Sequence, residues 1–213
     1  MRSQTLLEAR WIFAVLFFFA AISYFLLPWL AAVWGALILF TLFFFRDPDR
    51  EVPAEPGAVV AAADGVVVEV LDMIEPEVLK MPMTRIAIFL SVFDVHTNRA
   101  PIDGKITYSQ RHVGKFLDAR NPDATRLNEC RTWAFENGTT MVVVRQITGA
   151  IARRIVAWTK PGDMVKKGGR FGMIRFGSRT EIYVPADSVI TIKVGDRVRG
   201  GASVIARLAE RAV

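Results

Sequence analysis

This sequence predicts a mainly β fold, an antiparallel sandwich or barrel-like domain preceded by a hydrophobic helical hairpin. Three observations support it. Residues 11–45 form an apolar run without one charged side chain. Beyond residue 58 come short β-prone runs punctuated by glycine and proline. No long amphipathic helical period competes with them after residue 46.

The apolar run is membrane-like in composition. As one helix its roughly 35 residues would reach about 50 Å, too long for a single crossing of a ~30 Å hydrocarbon layer. Pro28 lies near the middle and supplies a break, leaving halves at 11–27 and 29–45 of ~17 residues each, the lower limit for spanning. Arg2 and Arg10 precede the run, and Arg46 and Arg50 follow it. Basic residues on both outer flanks predict a hairpin with both ends in the cytoplasm. The expected organisation is therefore a membrane anchor at 1–45 and a domain at 46–213 on the cytoplasmic face of the cell membrane. A cleaved signal peptide fits poorly, because the run is too long and no small-residue cleavage site follows.

Residues 46–58 read as a linker by their prolines and charges. Strands are expected at 59–61, 66–71, 86–93, 104–108, 139–147, 151–158, 170–176, 181–184, 189–194 and 203–208. Residues 71–84, with three methionines and two prolines, fit neither period and are expected as a loop or an irregular core connection. Two stretches, Gly162-Asp163-Met164-Val165-Lys166-Lys167-Gly168 and Gly195-Asp196-Arg197-Val198-Arg199-Gly200-Gly201, share the form Gly-Asp-x-Val-x-x-Gly. Asp closes such a turn on its own backbone and Gly permits positive φ. These turns resemble the half-motifs of lipoyl and biotinyl domains. A carrier role is not expected, since Lys80-Met81 lies far from either turn and lacks a paired Met-Lys-Met setting.

The 213 residues are 52% apolar and carry a net charge of +6. That charge favours an anionic surface. The apolar start points to acidic lipid, and the dispersed basic residues lack the aromatic interleaving of a nucleic-acid platform. Cys130 is the single cysteine, which excludes an internal disulfide. With only His96 and His112 beside it, a Cys/His zinc site has almost no material, and no metal is expected.

Four segments stand out: Ala62-Ala63-Asp64-Gly65-Val66; Phe93-Asp94-Val95-His96-Thr97-Asn98-Arg99-Ala100-Pro101; Pro101-Ile102-Asp103-Gly104-Lys105-Ile106; and Gly172-Met173-Ile174-Arg175-Phe176-Gly177-Ser178-Arg179. Together and in this order they resemble the short bacterial and archaeal phosphatidylserine decarboxylase proenzymes, across residues 46–213 and the hydrophobic start. Longer members of that family have Leu-Gly-Ser-Thr where this chain has Phe-Gly-Ser-Arg. They also carry a second histidine three residues beyond the first, where this chain has Arg99.

The resemblance implies self-cleavage between Gly177 and Ser178, with Ser178 converted to a pyruvoyl group. The Ser178 hydroxyl would attack the Gly177 carbonyl, and elimination would release residues 1–177. His96 matches the family's base, because an unassisted serine is a poor nucleophile. Asp64 matches the aspartate that orients or charge-stabilises it. The pyruvoyl ketone would then form a Schiff base with phosphatidylserine and accept the electrons left by carbon dioxide. His96, with an ordinary pKa near ~6.5, suits the proton transfers. Arg99, Lys105 and Arg179 are candidates for the lipid phosphate. The long and short chains are expected to stay associated.

Other residues have plainer readings. Asp103-Gly104 suits a hairpin turn, His112 a structural or exposed site, and Phe116, Trp133, Phe135 and Trp158 core or interface positions. Two other function classes remain open to test: a membrane-bound serine hydrolase using Ser178 with His96, and a basic membrane-tethered binding module. The first would keep its chain intact, and no Gly-x-Ser-x-Gly elbow surrounds Ser178. Intact mass separates the decarboxylase from both, since only it splits.

Overall fold

The computed structural model describes residues 3–121, 123–150, 154–175 and 178–209. They divide into two compact units, 1–49 and 50–213.

The first unit is a pair of apolar helices, α1 (Ser3–Leu26) and α2 (Pro28–Phe44). Leu27 interrupts them at φ −146° and ψ 82°, outside helical space, and Pro28 opens α2. A proline is tolerated there because the first turn's N–H groups have no helical partner to lose. The helices pack through the Trp34 indole, which donates to Ser23 Oγ at 2.9 Å and stacks on Phe19 at 5.3 Å. Phe17, Phe18, Phe25 and Leu39 point outward and are exposed. The stretch Gln4–Leu26 is long and apolar enough to cross a membrane, whereas Trp29–Phe44 is shorter. One N-terminal apolar helix is thus consistent with membrane association.

The second unit is mainly β. In chain order its elements are β1 (Ala58–Val60), β2 (Gly65–Ile74), β3 (Pro82–Leu90), β4 (Thr97–Arg99), β5 (Gly104–His112), α3 (Ala124–Leu127), β6 (Cys130–Asn137), β7 (Thr140–Thr148), β8 (Ile155–Ala157), β9 (Met164–Val165), β10 (Arg170–Ile174), β11 (Ser178–Pro185), β12 (Val189–Ile190), β13 (Arg197–Val198) and β14 (Val204–Arg207). Eight of them form one antiparallel sheet in the order β13-β2-β3-β11-β7-β6-β5-β9. Bulges in β2 and β5 add local twist and help curl this sheet into a half-barrel. Two three-stranded sheets, β4-β10-β8 and β1-β14-β12, complete the unit.

The concave core is filled from several sheets. Ile86, Ile88, Leu90, Trp133, Phe135, Val142, Val144, Ile182 and Val184 belong to one buried cluster with Phe171 of β10. Phe171 meets Trp133 and Phe135 edge-on at 5.2 and 5.1 Å. Strand alternation sends Ser178, Thr180, Ile182 and Val184 to this face. Arg179, Glu181 and Tyr183 go to the other, where Tyr183 packs with Met83, Ala134 and Val143.

The β regions match the expected class, with instructive differences. The expected loop at 71–84 is narrower: residues 71–74 and 82–84 belong to β2 and β3, which pair through Ile74↔Pro82, and only the turn between them is irregular, closing on one carboxylate. Glu75, nearly fully buried, accepts the backbone N–H groups of Glu77, Val78, Leu79 and Lys80. A side chain supplies what hydrophobic periodicity cannot register. The strand expected at 86–93 stops at Leu90, and the one expected at 181–184 begins at Ser178. Strand β6 had no counterpart in the expectations. Its signal is the Asn137-Gly138 pair, with Gly138 at φ 59°, which joins β6 to β7 as a tight hairpin. Of the expected strands, residues 151–153 and Phe176 lie outside the described residues.

The two Gly-Asp-x-Val-x-x-Gly stretches fold alike. Their outer glycines all have positive φ: Gly162 100°, Gly168 75°, Gly195 96° and Gly201 76°. Asp163 accepts the Lys160 N–H and Asp196 the Lys193 N–H. Each turn then docks on one edge of the large sheet, β9 on β5 and β13 on β2. The acids before those strands are used in parallel as well: Asp103 Oδ1 accepts the Lys167 N–H and Asp64 Oδ1 the Gly200 N–H.

Candidate active site

Ser178 is the first residue of β11, the strand held between β3 and β7. Its register partners are Leu90 and Thr148. The residue is fully buried, and its Oγ has no hydrogen-bond partner among the described residues. An unsatisfied buried hydroxyl costs roughly 1–3 kcal/mol, so such an atom invites a functional explanation. Gly177, the other half of the expected cleavage site, lies outside the described residues.

His96 reaches the same end of the sheet by a short path. β3 ends at Leu90, beside Ser178, and the chain turns through Ser91–Asp94 into β4. Asp94 closes that turn, its Oδ2 accepting the Ser91 N–H and Oγ–H at 2.8 and 2.7 Å. Its Oδ1 accepts from the Arg197 guanidinium at 2.9 Å. Its carbonyl accepts from His96 Nδ1 at 2.9 Å. That bond assigns the proton to Nδ1 and leaves Nε2 as the basic nitrogen. The fully buried ring is further held through its backbone, since the His96 carbonyl accepts the Ile174 N–H at 3.2 Å, four residues ahead of Ser178.

Asp64 sits between β1 and β2. Arg50 donates to its Oδ2 at 2.7 Å and the Gly200 N–H to its Oδ1 at 2.8 Å. Burial pushes its carboxyl above the ordinary range, Arg50 and the Gly200 N–H oppose that push, and the negative charge of nearby Asp94 adds to it. Asp103 shares the turn-closing hydrogen bond with Asp64. Burial and the guanidinium set Asp64 apart.

The remaining expected site residues lie elsewhere. Arg99 is buried and donates to the Gly168 carbonyl at 3.1 Å. Arg179, on the opposite face of β11 from Ser178, pairs with Glu181 at 2.8 Å and Glu69 at 3.5 Å. Glu181 is completely buried and also accepts from Thr125 and Tyr183, so Arg179 neutralises an internal charge. Lys105 is exposed, and in the sheet register it stands opposite Glu136 of β6, which stands opposite Met141 of β7. Met141 and Thr148, the partner of Ser178, are roughly 24 Å apart along β7 at ~3.4 Å per residue. His112 Nε2–H donates to the Glu77 carboxylate at 2.6 Å. Among the described residues, no group of three His, Cys, Asp or Glu side chains is placed to hold a metal ion.

Several residues at this site went unremarked in the sequence. Asp94 lay inside a quoted motif, but nothing local singled it out. Arg50 read as a topological flank and Arg197 and Gly200 as parts of a repeat.

The chain matches known proteins over nearly its whole length. The family model described as "Phosphatidylserine decarboxylase" matches residues 37–206. A phosphatidylserine decarboxylase proenzyme of Symbiobacterium thermophilum is 42% identical over 210 residues, covering 98% of each chain. The proenzyme of Carboxydothermus hydrogenoformans is 44% identical over 181 residues, 84% of this chain and 85% of that one. That of Geobacter metallireducens is 45% identical over 181 residues, covering 84% and 82%.

Proposed function

The chain belongs to the phosphatidylserine decarboxylase family, and we propose that Ser178, His96 and Asp64 carry out the chemistry by which it converts phosphatidylserine to phosphatidylethanolamine. The activity is pyruvoyl-dependent decarboxylation. The observation that carries the site assignment is the buried Ser178 Oγ without a partner among the described residues, at the head of the central strand.

In maturation, His96 Nε2 takes the Ser178 hydroxyl proton as Oγ attacks the Gly177 carbonyl. The Asp94 carbonyl fixes the ring through Nδ1. Asp64, when ionised, stabilises the imidazolium that forms, as in the generalised triad. β-Elimination breaks the resulting ester at Cβ of residue 178, leaving residues 1–177 with a terminal carboxylate and a dehydroalanine at 178, whose imine tautomer takes up one water to give the pyruvoyl group and ammonia. Burial of Ser178 fits a group that must be kept from bulk water. The pyruvoyl carbonyl supplies the electron sink for decarboxylation of the serine headgroup. His96 then delivers a proton to the headgroup carbon.

The long and short chains stay together in this reading, which is supported by the pairing of β11 with β3 and β7 along almost its whole length. The substrate membrane is anionic and the domain lies on its cytoplasmic face, supported by the net charge of +6 and the basic flanks of the apolar pair. Phe93, exposed just past the Ser178 end of β3, offers an apolar contact there. The internal duplication of the two glycine-bounded turns supports the lipoyl-like half-motif reading of the fold. The phosphate role of Arg99, Lys105 and Arg179 rests on charge alone and draws no support from their placement.

The test is purified protein on detergent-dispersed phosphatidylserine, with carbon dioxide and phosphatidylethanolamine measured together and the intact mass recorded. Equimolar products from a split chain whose smaller piece begins with pyruvoyl are expected. Full turnover by an unsplit chain would overturn the assignment.

A further inference from the structure

A single buried hydrogen-bond chain touches all three segments that bear Ser178, His96 and Asp64. The Trp133 indole N–H donates to Gln146 Oε1 at 2.7 Å. Gln146 Nε2 donates to Asn98 Oδ1. Asn98 Nδ2 donates to the Ala62 carbonyl at 3.3 Å and approaches Thr180 Oγ1 at 3.5 Å. All five residues are completely buried. Asn98 is two residues beyond His96, Ala62 two before Asp64, and Thr180 two beyond Ser178.

The order of donors along this chain is forced. An indole N–H only donates, so Gln146 must turn its oxygen toward Trp133 and its amide nitrogen toward Asn98. Asn98 must then present its oxygen to Gln146 and its NH₂ group to Ala62 and Thr180. A flipped Asn98 would set NH₂ against NH₂ and oxygen against carbonyl. Trp133 and Gln146 stand on β6 and β7, inside the large sheet, so the orientation is anchored in the rigid core. The chain is neutral throughout, so it fixes geometry without adding charge beside the reacting groups.

We infer that Asn98 is a positioning residue whose amide, oriented by Gln146 and Trp133, holds the His96, Asp64 and Ser178 segments in register for self-cleavage. This rests on the site assignment above. The amide acts on segment positions and touches no reacting atom.

The test uses newly synthesised full-length chains in detergent, with splitting followed by gel and intact mass from pH 5 to 8. Asn98→Leu keeps the volume and removes the hydrogen bonds. It is expected to yield a protease-resistant precursor that splits roughly 10- to 100-fold more slowly, the scale on which misplacement of reacting groups acts. In Asn98→Asp the new carboxyl can donate to the Ala62 carbonyl only when protonated, so splitting relative to the parent is expected to recover as pH falls. A core-stabilising role alone would lower thermal stability without this pH-dependent rescue. If Asn98→Leu does not fold, Asn98→Asp and Gln146→Met, which leaves Asn98 in place but unoriented, carry the test. Splitting of the foldable variants within twofold of the parent at every pH would overturn the inference. Ser178→Ala is the control: if it still splits, the site assignment fails, and if it alone blocks splitting, only the role of Asn98 does.

Discussion

The Arg197 guanidinium holds the Asp94 carboxylate at 2.9 Å, joining residues on opposite sides of the Gly177–Ser178 bond. Gly200 does the same for Asp64 through its backbone N–H. Residues 178–213 therefore help position acids that lie before residue 177, and strand β11 is hydrogen-bonded to β3 and β7, which both precede the proposed cut.

It follows that residues 1–177 and 178–213 should co-elute in native size exclusion after cleavage and separate only in denaturant. Dissociation of the short chain in mild detergent would contradict the shared-sheet account.

Ser178→Ala should give one uncleaved chain without decarboxylase activity. Ser178→Cys and Ser178→Thr keep a nucleophile on Cβ and should split slowly. His96→Ala should lose splitting, turnover or both. Purified His96→Ala that matures and works within about twofold of the parent would remove His96 from the mechanism.

Arg50→Met should move the acid limb of the self-cleavage profile to higher pH. Burial already holds the Asp64 carboxyl above its ordinary value and Arg50 opposes that shift. Without the guanidinium the carboxyl rises further, so a higher pH is needed to ionise it. Cleavage rates of fresh chains between pH 4 and 8 measure the shift, and an unchanged or lowered limb would refute it.

Glu75→Ala should destabilise the domain with little effect on turnover. The buried carboxylate accepts four backbone N–H groups of the β2–β3 turn, and its loss leaves them short of partners. The expected cost is about 2 kcal/mol, a fall in Tm of roughly 4–8 °C for a domain of this size. Thermal unfolding in the Ser178→Ala background avoids complications from chain splitting.

Removal of residues 1–45 should leave a more soluble protein that still cleaves at Gly177. It should act poorly on bilayers yet retain activity on detergent-dispersed substrate, because an anchor raises local concentration without joining the chemistry. Protease protection of tagged termini in the full chain tests the hairpin topology, and termini on opposite sides would exclude it.

Much of this protein was legible locally. The uncharged run, its break at Pro28 and the glycine-bounded turns are short-range features, and the helices and turns form where they fall. The quoted motifs contained Ser178, His96 and Asp64. The β2–β3 turn was not legible, because Glu75 closes it through hydrogen bonds that leave no hydrophobic period.

By itself the sequence determined the apolar pair, the mainly β class and the family, since composition, alternation and motif order are properties of neighbouring residues. Only the tertiary structure decided that Arg179 faces away from Ser178 toward buried Glu181, and that Lys105 stands at the far end of the sheet. It also decided that Ala62, Asn98, Gln146 and Thr180 meet in one chain of hydrogen bonds. The physical reason is register: a strand's pattern fixes which face each side chain takes, while strand order and pairing fix which distant residues share that face.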